Sequence, residues 1–203
     1  MYIGRFVVAG RTAGGAWYVG YRVSSRSFPN RKIVTRADRA MVVPTADAAP
    51  TDNPYISYNC LRTCEGAIVV ANGSHVDPII EKIAHGYPLR DAIALTLLAM
   101  DYEHDQYNTP RIAAALDTRA QVAYLAIVGE GYLSIRRMTP LAGQAYLLAT
   151  YELTEPTPIA FVGETPEALC NALFECEYEH PIAALAAMPS TEGLRIAARS
   201  ARD

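Results

Sequence analysis

RIAAALDTRAQVAYLAIVGEGYLSIRRM, residues 111–138, decides the fold class. Three runs, RIAAALD, QVAYLAIV and YLSIRRM, are separated by turns, with Gly129-Glu130-Gly131 between the last two. Apolar runs punctuated this closely read as strands joined by hairpins, which means antiparallel sheet. Downstream, AYLLATYEL and IAFV continue the pattern. Upstream, residues 2–9 and 16–25 read as two strands around a Thr-Ala-Gly-Gly turn, and 65–71 as a buried strand ending at Asn72-Gly73, a tight-turn signal. Residues 46–54 read as an exposed loop. Helices are fewer. Residues 76–86 suggest a short one, and 88–102 give the clearest, with Pro88 in the first turn and Leu89, Ile93, Leu97 and Met100 at helical spacing. A third starts at the Thr165-Pro166 capping signal and runs to Tyr178, and a last helical piece near 181–187 precedes an Arg-rich tail. The expectation is one α/β domain of the α+β kind over residues 1–203, with largely antiparallel sheets and helices packed outside.

The bulk numbers narrow the function classes. The chain has 203 residues, 51% of them hydrophobic, and a net charge of -3. That supports a sizeable core and argues against disorder and against a general nucleic-acid binder, which would be basic. No run approaches the roughly 18 apolar residues of a membrane helix. MYIGRFVVAG reads as a first strand and not as a signal peptide. Cys60, Cys64, Cys170 and Cys176 lack C-x-x-C spacing, so free thiols in a cytoplasmic protein are expected. Of the 18 cations only Lys32 and Lys82 are lysine. Arginine is the better planar partner for phosphate and carboxylate.

Four stretches carry candidate chemistry. YRVSSRSFPNR, residues 21–31, concentrates cation and hydroxyl. If it is extended, Arg22, Ser24 and Arg26 share one face, with Arg22 and Arg26 roughly 13 Å apart at ~3.3 Å per residue. That spacing suits the two ends of a nucleotide or two long side chains converging on one anion; an Arg/Ser strand edge that discourages aggregation is the plainer reading. Tyr58-Asn59 offers an oxyanion donor and a polar orienting group. VVANGSHVDP, residues 69–78, ends a strand in small polar residues. MDYEHDQYNTPR, residues 100–111, alternates Asp101, Glu103 and Asp105 after the long helix, with His104 among them. Acids there oppose the helix dipole, and crowding would raise a pKa into the range that suits proton transfer. A metal site is the weaker reading, because no EF-hand glycine or terminal glutamate has the required spacing.

Together, YRVSSRSFPNR, Tyr58-Asn59, VVANGSHVDPI and AMDYEHDQYNTPRI resemble the archaeal-type IMP cyclohydrolases in order and spacing, specifically to about residue 135 and weakly beyond. The resemblance implies a four-layer αββα sandwich similar to N-terminal-nucleophile hydrolases, although Met1-Tyr2 supplies no nucleophile of that kind. It implies closure of 5-formamidoimidazole-4-carboxamide ribonucleotide to inosine monophosphate and water, the last step of de novo purine biosynthesis. No metal or organic cofactor is required. By the same resemblance the expected partner is this small ribonucleotide, not a nucleic acid or a membrane, and the chain is expected to form a homo-oligomer, dimer or tetramer. On this footing Glu103 shuttles the proton, with Asp105 the second candidate. Arg31 and Tyr58 polarise the formyl oxygen, and Asn59 orients the carboxamide. Arg22, Ser25, Arg26 and Arg111 bind phosphate or ribose, while Asn72, Gly73 and Ser74 hold the base. The alternative from another class is a non-catalytic purine-nucleotide-binding module.

Overall fold

The computed structural model describes residues 1–49 and 55–202, so the tail of the 46–54 loop expectation lies outside the described residues. In chain order the elements are β1 (Phe6–Arg11), β2 (Trp17–Ser24), β3 (Arg31–Thr35), β4 (Arg39–Pro44), β5 (Tyr58–Cys64), β6 (Ala67–Ala71), α1 (Val76–Ala84) and α2 (Leu89–Met100). They continue with β7 (Arg111–Asp117), β8 (Val122–Gly129), β9 (Tyr132–Met138), β10 (Ala145–Ala149), β11 (Thr157–Ile159), α3 (Pro166–Glu175), β12 (Pro181–Ser190) and β13 (Gly193–Ser200). Among the described residues the strands form a sheet in the order β11-β10-β1-β2-β12-β13 and another in the order β3-β4-β5-β6-β7-β8-β9. Every pairing within them is antiparallel.

Side-chain alternation explains the packing. In β2, Trp17, Val19, Tyr21 and Val23 join Ile112, Leu116, Leu125 and Ile127 of β7 and β8 in a core between the sheets. The other faces are covered by helices. Val69, Ala71, Ala113 and Val128 pack under Ile79, Ile83, Ile93 and Leu97 of α1 and α2. Phe6, Val8, Ala184 and Ala186 pack under Leu169 and Leu173 of α3. The opposite face of β2 carries Gly20, where a Cβ would fall 2.5 Å from Leu173 Cδ1, so glycine lets α3 close onto the sheet. Thr165 caps α3 by accepting from Ala168 N at 3.2 Å, as the Thr-Pro signal predicts.

Two readings are corrected. Residues 181–187 are not helical but part of β12, which pairs with β2 on one side and β13 on the other. Its alanines favour a helix locally, yet small side chains are what a strand buried on both faces can hold, so tertiary context overrides propensity. The tight turn read at Asn72-Gly73 does not join two strands; the chain passes there from β6 into α1, with Gly73 O accepting from Val76 N at 3.4 Å.

Arg22 is also corrected. It is fully buried and its side chain turns under α3, away from any anion site. Nη1 donates to Cys176 O at 2.9 Å and to Cys176 Sγ at 2.8 Å, and Nη2 donates to Tyr178 O. The guanidinium thus satisfies carbonyls that α3 leaves unpaired at its C-terminal end. Arg22→Met is expected to lower stability by about 2–3 kcal/mol, because the orphaned carbonyls stay buried. A urea titration checks this; an unchanged midpoint contradicts the capping role.

Candidate active site

One end of the two-sheet stack gathers the start of β1, the end of β2, the start of β3 and the loop from α2 to β7. A cavity of about 670 Å³ opens there, within the size range of small-molecule sites. Its walls include Arg5, Arg26, Arg31, Glu103 and Asp105, with Ser24, Ser25 and Ser27 on one side and Tyr2, Phe28, Tyr55, Tyr107 and Tyr151 as aromatic surfaces.

The centre is an ion pair that bridges the sheets. Arg5 Nη2 donates to Glu103 Oε2 at 2.7 Å, and Nη1 to Glu103 Oε1 at 3.4 Å and to Asn72 O at 3.0 Å. Glu103 is 1% exposed, and Arg111 Nη1 stands 3.8 Å from its Oε1. Burial, the largest single influence, works against the Arg5 charge, but the Glu103 carboxylate together with the Tyr58 and Tyr21 hydroxyls outweighs it and holds the pKa well above the ordinary value. Glu103 is set in place by a break in the backbone. Asp101 ends α2 at φ 55°, a conformation strained for a non-glycine residue, and Glu103 N donates to Thr109 O at 2.8 Å. Gly73 completes the packing: a Cβ there would lie 3.1 Å from Arg111 Nη1 and 3.2 Å from Glu103 Oε1.

Arg31 is different in kind. It is 4% exposed, and among the described residues the one hydrogen bond of its side chain is Nε to Phe28 O at 3.0 Å. Among the described residues no carboxylate lies within ion-pair distance of it. Burial, and to a lesser degree the nearby Arg5 cation, lower its pKa, but a guanidinium starts so high that it stays charged. A buried guanidinium that faces a cavity has the chemistry to hold an anion. Arg26 and Ser25 extend this cationic side. The Arg26 guanidinium stacks on the Tyr2 ring at 4.2 Å, and Ser25 Oγ accepts from Phe28 N at 3.0 Å.

Tyr58 stands behind Arg5 and Arg31, its hydroxyl 2.7 Å from that of Tyr21. Asp105 lines the cavity but its oxygens are engaged. Oδ1 accepts from Tyr107 N at 3.1 Å and Thr109 N at 3.0 Å, and Oδ2 accepts from Thr109 Oγ1 at 2.7 Å. Tyr151 in turn meets Thr109 Oγ1 at 2.9 Å. The three acids that alternate in sequence therefore do not crowd. Glu103 is buried, Asp105 braces its loop, and Asp101 is exposed 3.7 Å from His104.

Other expected site residues lie outside the cavity walls. Asn59 Nδ2 donates to Asp77 Oδ1 at 2.8 Å, alongside Arg62, on the α1 side of β5. The Asn72 side chain is spent on the backbone of β7: Nδ2 donates to Pro110 O at 2.9 Å and Oδ1 accepts from Ile112 N at 2.8 Å. Ser74 is exposed away from the cavity, and Arg111 donates from Nε to Asp101 O at 2.9 Å. Sequence reasoning missed Arg5, which stands in no cluster. The available signal was a single cation inside an apolar strand, which requires a partner. The cavity-lining Tyr2, Tyr55 and Tyr151 carry no pattern at all.

His75 lies beneath this group, fully buried, with Nε2 2.9 Å from Ile112 O. Burial, and secondarily the Arg111 cation, depress its pKa to about 3 from an ordinary 6.5. The folded state therefore holds His75 neutral while the unfolded chain protonates below 6.5, so stability falls as pH drops from 6.5 towards 3. His75→Gln is expected to flatten that part of the pH–stability curve. An unchanged slope in urea titrations at several pH values counts against it.

Among the described residues no helix is long and apolar enough to cross a membrane. The family described as IMP cyclohydrolase-like protein matches residues 2–193. An IMP cyclohydrolase of Haloquadratum walsbyi is 46% identical over 195 residues, 95% of this chain and 93% of that protein. One from Halobacterium salinarum is 49% identical over 184 residues, covering 91% and 90% of the two chains. One from Methanocella arvoryzae is 44% identical over 188 residues, 92% of each.

Proposed function

The chain belongs to the IMP cyclohydrolase family, and from that premise we propose how the cavity performs ring closure. The protein is an enzyme of purine biosynthesis that closes 5-formamidoimidazole-4-carboxamide ribonucleotide to inosine monophosphate, releasing water. Nucleophile and electrophile belong to one molecule, so much of the catalysis lies in holding the reactive rotamer.

The observation that carries the proposal is the adjacency of a buried carboxylate, Glu103, and a buried guanidinium, Arg31, on one cavity. Glu103 accepts the proton of the attacking carboxamide nitrogen, which is otherwise a poor nucleophile. Arg31, supported by Tyr58 from behind, stabilises the oxyanion that forms as the formyl carbon is attacked. Glu103 returns that proton to the oxyanion, giving a hydroxyl adduct. Glu103 then takes the hydrogen of the formamido nitrogen as the C=N bond forms and passes it to the hydroxyl, which departs as water. One oxygen and two hydrogens leave, which balances the closure.

Arg26 with Ser25 and Ser27 receives the phosphate, and the aromatic walls flank the base and ribose. Arg5 holds Glu103 in place and Arg111 supports it, so neither needs to touch phosphate. The scaffold is one domain over 1–203 of the four-layer αββα kind; sheets that face each other with helices outside support this. Its place is the cytoplasm, which suits four free cysteines. It assembles as a homo-oligomer, dimer or tetramer, which sedimentation velocity distinguishes from a monomer.

A cyclisation assay tests the reading. The formamido ribonucleotide is supplied with EDTA present, and inosine monophosphate is followed by absorbance and chromatography. Product is expected with the chelator present. Nucleotide binding without product from folded protein supports the non-catalytic module instead.

A further inference from the structure

Tyr21 sits in the core between the sheets, 0% exposed, yet carries a polar hydroxyl whose one hydrogen bond among the described residues is to Tyr58 OH at 2.7 Å. A buried hydroxyl hydrogen without an acceptor is costly, so its direction can be deduced. Were Tyr58 the donor, the Tyr21 hydrogen would need another acceptor. The groups that influence it are Arg5, which only donates, and the Cys60 thiol, which is directed at Ala40 O at 3.4 Å. Tyr21 therefore donates and Tyr58 accepts. Burial also pushes the Tyr21 pKa well above its ordinary value, which keeps that proton in place.

This leaves the hydrogen of Tyr58. Its charged neighbours are Arg5 and Arg31, both donor-only. Tyr58, 5% exposed, is not itself part of the cavity wall but stands behind two residues that are, Arg5 and Arg31, so the acceptor its hydrogen can find is an oxygen held between the two guanidinium groups. Hydrogen bonds in series strengthen each other, so a phenol that accepts from a second phenol is a better donor.

We propose that Tyr21 is a positioning residue for ring closure, fixing the Tyr58 hydroxyl as a donor to the oxygen that gains charge between Arg5 and Arg31. The proposal rests on the oxyanion reading of the site above. It makes a core tyrosine part of the chemistry without contact with substrate.

The test uses the full chain and the variants Tyr21→Phe, Tyr58→Phe and both together, assayed for kcat and KM. Tyr58→Phe is expected to lower kcat about a hundredfold, as loss of one oxyanion donor does. Tyr21→Phe should lower kcat about tenfold with KM within about twofold, since the lost interaction acts on the transition state. The double variant should be no slower than Tyr58→Phe, because Tyr21 acts only through Tyr58. Multiplicative losses, or an unchanged kcat in Tyr21→Phe while Tyr58→Phe is impaired, overturn the inference and leave the site reading standing. Full turnover in Tyr58→Phe overturns both. Should Tyr21→Phe fail to fold, proton NMR of the unaltered protein with labelled tyrosine decides. A solvent-protected hydroxyl resonance that disappears in Tyr58→Phe supports the pair, and its absence overturns it.

Discussion

Glu103→Gln is expected to lower kcat roughly 10²- to 10⁴-fold, the usual loss when a positioned acid–base group is removed. The amide is close in shape to the carboxylate, so the cavity keeps its form, but it accepts no proton. The same change strips the negative charge from between Arg5 and Arg111, leaving two buried cations 2.7 Å and 3.8 Å from a neutral group. Removing one partner of a buried pair costs about 3–5 kcal/mol, so the thermal midpoint should fall with the rate. The two losses are separable: turnover is measured per folded molecule, with circular dichroism at the assay temperature fixing the folded fraction. Unimpaired turnover by the folded variant removes Glu103 from the proton transfer and passes the role to Asp105. Asp105 is the weaker candidate because three hydrogen bonds already occupy its oxygens.

Arg31→Gln should show the opposite pairing of effects. kcat/KM is expected to fall roughly 10²- to 10³-fold, as when an oxyanion donor is lost. Stability should hold or rise. Among the described residues no carboxylate is orphaned by the change, and burial already works against the charge. Function that keeps a buried cation unpaired is bought with stability, so its removal relieves the fold. Urea midpoints and steady-state kinetics on one preparation check both halves. A large destabilisation with kcat/KM intact would show a structural arginine of the Arg22 kind.

The contrast between Arg22 and Arg31 shows what was legible. Both stand in YRVSSRSFPNR, and the sequence marks both as candidates. Period-two counting says which residues share a strand face; it does not say which face looks at the cavity and which at α3. It also stops at Ser24, where β2 ends and the alternation with Arg26 is broken. Glu103 was found because a carboxylate following a helix end is locally unfavourable and so conspicuous. Asn59 and Asn72 misled because a polar side chain has the same composition whether it serves a ligand or a neighbouring backbone. The hairpins of β7 to β9 were readable to the residue at several ends, since turn residues bound them. β12 was not, because alanine runs record propensity, and what decides that segment is a pair of strands distant in sequence.

That distance has a consequence for synthesis. β2 is buried along its whole length, and one of its two neighbours is β12. A ribosome adding 5–20 residues per second needs about 8–30 s to travel from Ser24 to Pro181. Throughout that interval WYVGYRVS has one open hydrogen-bonding edge and an unshielded face where α3 will lie. The nascent chain thus carries an adhesive strand for most of its translation, open to pairing with other chains until β12 arrives.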